Sequence, residues 1–215
     1  MPLIEHYLTQ IQRWPRGGRH ILAQYDDTSI VVYQAFGPEI GNYAAAHSRL
    51  GEHFRLTRTS WIKPTFLWMM YRSGWGSKDG QDVVLAIRMR RAVFDAFLAQ
   101  AVATTFVPEV YANEAEWKRA AAETDVLVQW DPDHDPSGGK VERRALQLGL
   151  RGNALFHYAR DAIINIEDIS EFVHEQRQYS APERWAHLAT PREELYPVKD
   201  AAVANKLGLQ QGLEG

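Results

Sequence analysis

Ser29-Ile30-Val31-Val32-Tyr33-Gln34-Ala35-Phe36-Gly37-Pro38-Glu39-Ile40 changes its structural character midway. Ile30 to Tyr33 are β-branched or aromatic without a break, which predicts a buried strand. Gly37 ends it, and Pro38 suits the first turn of a helix over residues 38–50, closed by Gly51. Just upstream, residues 20–25 read as a second strand, joined through Asp26-Asp27-Thr28 in a hairpin. Further upstream, Ile4, Leu8 and Ile11 have helical spacing, and Pro15-Arg16-Gly17-Gly18 stops that run.

Downstream, the periodicities predict a strand over 54–62, a short apolar helix over 65–72 opened by Pro64 and capped by Gly74, and a strand over 82–89. A helix over 92–103 and another from the cap Asn113 to 123 follow. A strand over 125–130 leads into an irregular loop, 131–139. Residues 143–150 fit strand or helix, with alternation favouring strand. A helix over 152–162, a strand over 163–166 and a helix from Ser170 to 178 complete the pattern. Hairpins mixed with crossovers predict an α+β fold with a mixed, largely antiparallel sheet or sheets flanked by helices. One domain is expected over 1–215, with a core at about 19–179 and a polar tail, 180–215, wrapping the surface.

The 215 residues are 45% hydrophobic and 24% charged, enough to bury roughly 70% of the unfolded surface without a metal or disulfide. The sequence has no cysteine, which excludes a thiol nucleophile and every cysteine-ligated metal centre. No basic head and apolar run opens it, and no stretch approaches ~20 apolar residues. A cytoplasmic protein with no membrane partner is the expectation. A net charge of −3 gives no global footprint for nucleic acid, although a local basic groove stays open.

Seven tryptophans and nine tyrosines are the unusual feature of the composition. Three of the tryptophans and one tyrosine fall within residues 58–75, where Trp61, Trp68, Tyr71 and Trp75 are interleaved with Arg58, Lys63 and Arg72. Flat rings stack on bases while cations meet phosphates, so this run is a candidate nucleotide or nucleic-acid groove. A core helix whose Arg72 caps its own end accounts for the same residues. In the loop after Trp130, Asp131, Asp133 and Asp135 recur at the spacing of a calcium loop that continues to Glu142. Pro136 stands where such a loop needs glycine, so no metal is expected. A chain reversal, or a ligand-facing loop using Asp133 or His134 to handle a proton, are the other readings. Arg143 and Arg144 would then pair with Asp131 or Glu142 on the surface, worth at most ~1 kcal/mol. Arg151, before a glycine-opened helix, suits a phosphate. Phosphate loops, dinucleotide fingerprints, serine elbows and zinc-binding helices are all missing.

The runs 33–40 (YQAFGPEI), 60–75 (SWIKPTFLWMMYRSGW), 129–134 (QWDPDH) and 147–152 (QLGLRG) together resemble the domain of unknown function 4291 family. That resemblance covers nearly the whole chain and implies one domain, but no activity. At the level of fold, a strand carrying Tyr33 and Gln34 followed at once by a helix is similar to the opening of ADP-ribosyltransferase domains. This likeness implies NAD as cofactor, with Gln34 at the nicotinamide ribose and Tyr71 or Trp61 on the ring. Arg58 or Arg72 would meet the pyrophosphate, and Glu167, or else Asp133, the cationic transition state. Gln34 stands where those enzymes carry Arg or His. The acceptor would be unknown, with RNA or DNA as one class. A module that binds nucleotide or RNA without turnover is the alternative.

Overall fold

The computed structural model describes residues 2–210. The chain runs β1 (Ile4–His6), α1 (Tyr7–Gln10), β2 (Gly18–Arg19), β3 (Leu22–Ala23), β4 (Ser29–Phe36), α2 (Pro38–His47), β5 (Ser60–Ile62) and α3 (Phe66–Ser73). It continues through β6 (Val83–Arg90), α4 (Arg91–Gln100), β7 (Val102–Ala103), α5 (Glu114–Glu123), β8 (Val126–His134) and β9 (Lys140–Leu150). The last part is α6 (Gly152–His157) with a π turn (Tyr158–Ala162), β10 (Ile163–Asp168), α7 (Ser170–Arg177), β11 (Ala189–Pro191), β12 (Glu194–Leu195) and α8 (Ala201–Leu207). It is an α+β fold with mixed, mostly antiparallel sheets. No helix among the described residues is long and apolar enough to cross a membrane.

Two sheets organise it. The first is antiparallel in the order β10-β6-β4. The second is centred on the β8–β9 hairpin, with β7 beside β8, and with β2 and β5 beside β9. The sheets touch where the Tyr33 amide donates to the Lys63 carbonyl at 2.7 Å, just after β5.

β4 and β6 read as unbroken apolar runs because both their faces are covered. Ile30 and Val32, with Leu85 and Ile87, turn to a core shared with the second sheet, α4 and the π turn. Val31 and Tyr33, with Val84 and Ala86, turn to a second core built on α3, α7, Tyr7 and Trp14. Gln34 continues the Ile30 and Val32 side of the alternation.

α3 has Phe66, Leu67, Trp68, Met69, Met70 and Ser73 buried. Gly74 closes it in the left-handed region (φ 60°), and the Trp75 amide reaches back to the Met70 carbonyl. Asn113 caps α5 as expected, accepting from the Glu116 amide.

Several expectations need correction. Residues 3–14 are not one helix: Ile4 and Leu8 are exposed, while Tyr7, Gln10 and Trp14 point inward. The inward set has helical spacing too, but in another phase, and the first residues pair with β11 instead. Residues 54–59 are turns; with Arg55, Thr57, Arg58 and Thr59 exposed, no sheet edge takes them. Residues 131–134 extend β8, because Asp131 and Pro132 pair with Ala145 and Arg144, and the register shifts after Pro132, which has no N–H to donate. The segment after residue 180 pairs two strands and buries Thr190 and Glu193; its last part, 211–215, lies outside the described residues.

Candidate functional site

A cavity of about 760 Å³ opens where β4 ends and the two sheets diverge. Its lining joins Gln34 of β4, Trp61 of β5, Lys63, Arg72 of α3, Arg55 and Arg58 of the preceding turns, and Gln129 and Gln147 of the hairpin. A site of this size is within the range for small-molecule ligands.

Gln34 is heavily engaged. Its amide nitrogen donates to Ser60 Oγ (2.9 Å) and the Trp61 carbonyl (3.2 Å), and its carbonyl accepts the buried Tyr158 hydroxyl at 2.9 Å. One acceptor lone pair is left for a ligand. The residue therefore fixes the Ser60-Trp61 wall first. Trp61 lies opposite Gly149, and a Cβ there would come within 2.9 Å of the indole, so the glycine is what lets the ring approach β9 this closely. Gln129 and Gln147 face each other across the hairpin, and both amides donate to the Asp131 carboxylate at 2.8 Å.

Charge defines the cavity. Arg55, Arg58 and Arg72 make no ion pair among the described residues. Lys63 is 5% exposed, and its Nζ has one long contact, 3.4 Å to the Trp61 carbonyl. Burial, then the positive field of Arg72, lowers its ammonium to about 8 against an opposing pull from Asp131. Glu39 is the one carboxylate among the lining residues; it is exposed and pairs with His53 at 3.0 Å. The lining therefore carries an excess of positive charge.

The structure thus brings together Gln34, Arg58, Trp61, Lys63 and Arg72 of the residues expected from sequence, and adds Arg55, Gln129 and Gln147. The others stand apart. Tyr33 is fully buried against Phe66, and Trp75 is buried with its indole N–H on the Pro136 carbonyl. Asp133 pairs with Arg143 inside the protein. Glu167 lies on β10 opposite Ala86 and accepts from the Asn165 amide. Trp130 donates to the Leu207 carbonyl. Arg151 closes the end of α5, donating to Thr124 O at 2.7 Å, while Asp125 caps the helix that follows. The three acids of the expected calcium spacing have separate partners: Asp131 the two glutamines, Asp133 Arg143, and Asp135 the Ser137 and Gly139 amides.

His134 is buried and stacks on Tyr71, with ring centroids 3.5 Å apart and planes at 9°, and more distantly on Trp68. Among the described residues neither ring nitrogen has a hydrogen-bond partner. Burial lowers its pKa, against the pull of Asp133. The unfolded chain then binds more protons below about pH 6.5, so stability present above that pH is lost as pH falls. His134→Phe keeps the stack without the nitrogens. Its melting temperature should match or exceed wild type at pH 7, and the gap should widen toward pH 5. A constant gap would mean that His134 does not titrate in this way.

The family whose model matches the chain, over residues 20–196, is described as a domain of unknown function (DUF4291). Comparison with curated proteins gives no match.

Proposed function

We propose that this chain, which belongs to the DUF4291 family, binds NAD in the cavity and transfers its ADP-ribose unit to an acceptor at the open rim. One observation carries the reading: three guanidiniums without ion-pair partners among the described residues, a buried amine and an indole surround a single cavity. Arg55, Arg58 and Arg72 supply bidentate donors for a pyrophosphate. Trp61 offers the stacking face for a ring. Gln34 keeps that wall in place, and its free lone pair suits a ribose hydroxyl. In the transfer, the bond between ribose C1′ and nicotinamide breaks with its electron pair leaving on nicotinamide. The acceptor's lone pair forms the new bond, and its proton goes to solvent. A cysteine-free protein using NAD suits the cytoplasm.

A second reading, binding without turnover, is favoured by the lining itself. Its single carboxylate, Glu39, is at the rim and engaged with His53, and neither Asp133 nor Glu167 joins it. In this case nucleotide or RNA would be held by stacking and phosphate contacts alone.

Thermal unfolding with NAD, ADP-ribose and RNA separates these outcomes. A ligand at about a hundred times its Kd adds ~2.7 kcal/mol, which raises the midpoint of a domain this size by roughly 5–10 °C. Arg58→Ala should weaken nucleotide binding by roughly 10- to 100-fold through loss of a charge-assisted contact. Nicotinamide release, followed by chromatography, marks the transferase. A shift with no release supports the binding module, and no shift with any nucleotide overturns both.

A further inference from the structure

Lys63 stands out among the six lysines of the sequence. Its backbone is pinned between Tyr33, with which it exchanges both amide bonds, and Pro64 at the start of α3. The side chain is nearly removed from solvent yet lines the cavity. No carboxylate forms an ion pair with it among the described residues. Arg72 lies close enough to oppose a second positive charge. A desolvated amine next to a cation is how proteins make lysine nucleophilic. Three guanidiniums line the same cavity and suit phosphate.

We propose that the Lys63 amine condenses with the aldehyde of a phosphorylated carbonyl compound held by Arg55, Arg58 and Arg72, open-chain ADP-ribose being the member that fits this cavity. The choice of ADP-ribose rests on the nucleotide reading above; the reactive amine does not. In the step, the nitrogen lone pair attacks the carbonyl carbon and the C=O pair moves to oxygen, which takes up a proton. The carbinolamine then loses one water to form the imine. No oxidant or reductant takes part. The product is a covalent, reversible hold on the sugar end of the ligand.

The other lysines supply internal controls. Lys78 and Lys118 are exposed, and Lys206, also desolvated, donates to the Ala99 carbonyl outside this cavity. Around pH 8 about half of Lys63 is neutral, against under ~1% for an ordinary lysine. Part of that advantage is lost to lower basicity, leaving an expected rate ratio of about tenfold.

The test incubates the full chain with ADP-ribose and sodium cyanoborohydride at pH 8 and maps adducts by peptide mass spectrometry. The hydride reduces the imine to a stable secondary amine. The expected result is an adduct at Lys63 forming about tenfold faster than at any other lysine, slowed by Arg58→Ala at that position alone and absent from Lys63→Arg. Even labelling across the lysines overturns the inference. A thermal shift with ADP-ribose alongside even labelling overturns it while leaving the nucleotide reading standing. Selective labelling of Lys63 by glyceraldehyde 3-phosphate, with no shift from ADP-ribose, keeps the reactive amine and overturns the nucleotide reading.

Discussion

Replacing Arg143 with Leu is expected to cost about 3–5 kcal/mol, because it strands a carboxylate inside the protein. Asp133 is 1% exposed, and its Oδ2 accepts from Arg143 Nε at 2.8 Å and from a terminal nitrogen at 2.6 Å. The same guanidinium donates to the Pro15 carbonyl and lies 5.2 Å above the Trp14 ring. Without it, the Asp133 side chain keeps only the His134 amide as donor among the described residues. The midpoint should fall by roughly 6–20 °C for a chain of this size. The double variant Asp133→Leu with Arg143→Leu should recover most of that loss, since the desolvated charge is gone with its partner. Chemical denaturation of the two singles and the double forms a cycle. A single-variant loss below about 1 kcal/mol would place the pair in the class of surface contacts.

Lys63→Met should act in the opposite direction. An ammonium held near 8 instead of the ordinary 10.5 destabilises the folded chain by about 3 kcal/mol at neutral pH. Methionine fills a similar volume with no charge to desolvate. The variant should melt roughly 6–12 °C higher at pH 7. The sign with pH is specific: between 8 and 10.5 the unfolded lysine holds more protons than the folded one, so wild type gains stability as pH rises. The advantage of methionine should therefore shrink across that window. Melting curves at pH 7 and pH 10 decide it, and an equal gain at both would refute the assignment. A stabilising change that also removes a group from the cavity is the usual mark of a functional residue kept at the expense of the fold.

What the sequence reveals follows the range over which each signal acts. The apolar runs of β4 and β6, the Asn113 cap and the Gly74 stop are written in neighbouring residues. The phase of the first segment is not, because β1 is settled by β11, with Ile4 opposite Pro191. In the cavity, Trp61, Lys63 and Arg72 are legible because one strand–turn–helix carries them, and Arg58 because it opens the same aromatic and basic run. Arg55 lies upstream of that run, and Gln129 and Gln147 are brought together only when β8 pairs with β9. The reverse also holds. Tyr33 and Trp75 have the composition of a ligand face and serve the core, and the Asp-Pro-Asp-His run has loop composition but pairs with β9 across a register shift. Arg143, expected on the surface with Asp131 or Glu142, is instead the buried partner of Asp133.

Glu193 is 1% exposed and has its carboxyl pushed well above the usual range by burial, yet it accepts the Phe66 amide at 2.6 Å, at the first residue of α3. The two residues are 127 positions apart. At roughly 5–20 residues per second, synthesis delivers that acceptor on the order of 6–25 s after the helix has been made. During that interval the helix bearing Arg72 lacks the acceptor at its first amide, while the Lys63 backbone is already held by Tyr33. The start of α3, which carries Arg72 into the cavity, is thus capped from a position 127 residues further along the chain, and a chain arrested before residue 193 would carry every cavity residue with the Phe66 amide lacking this acceptor.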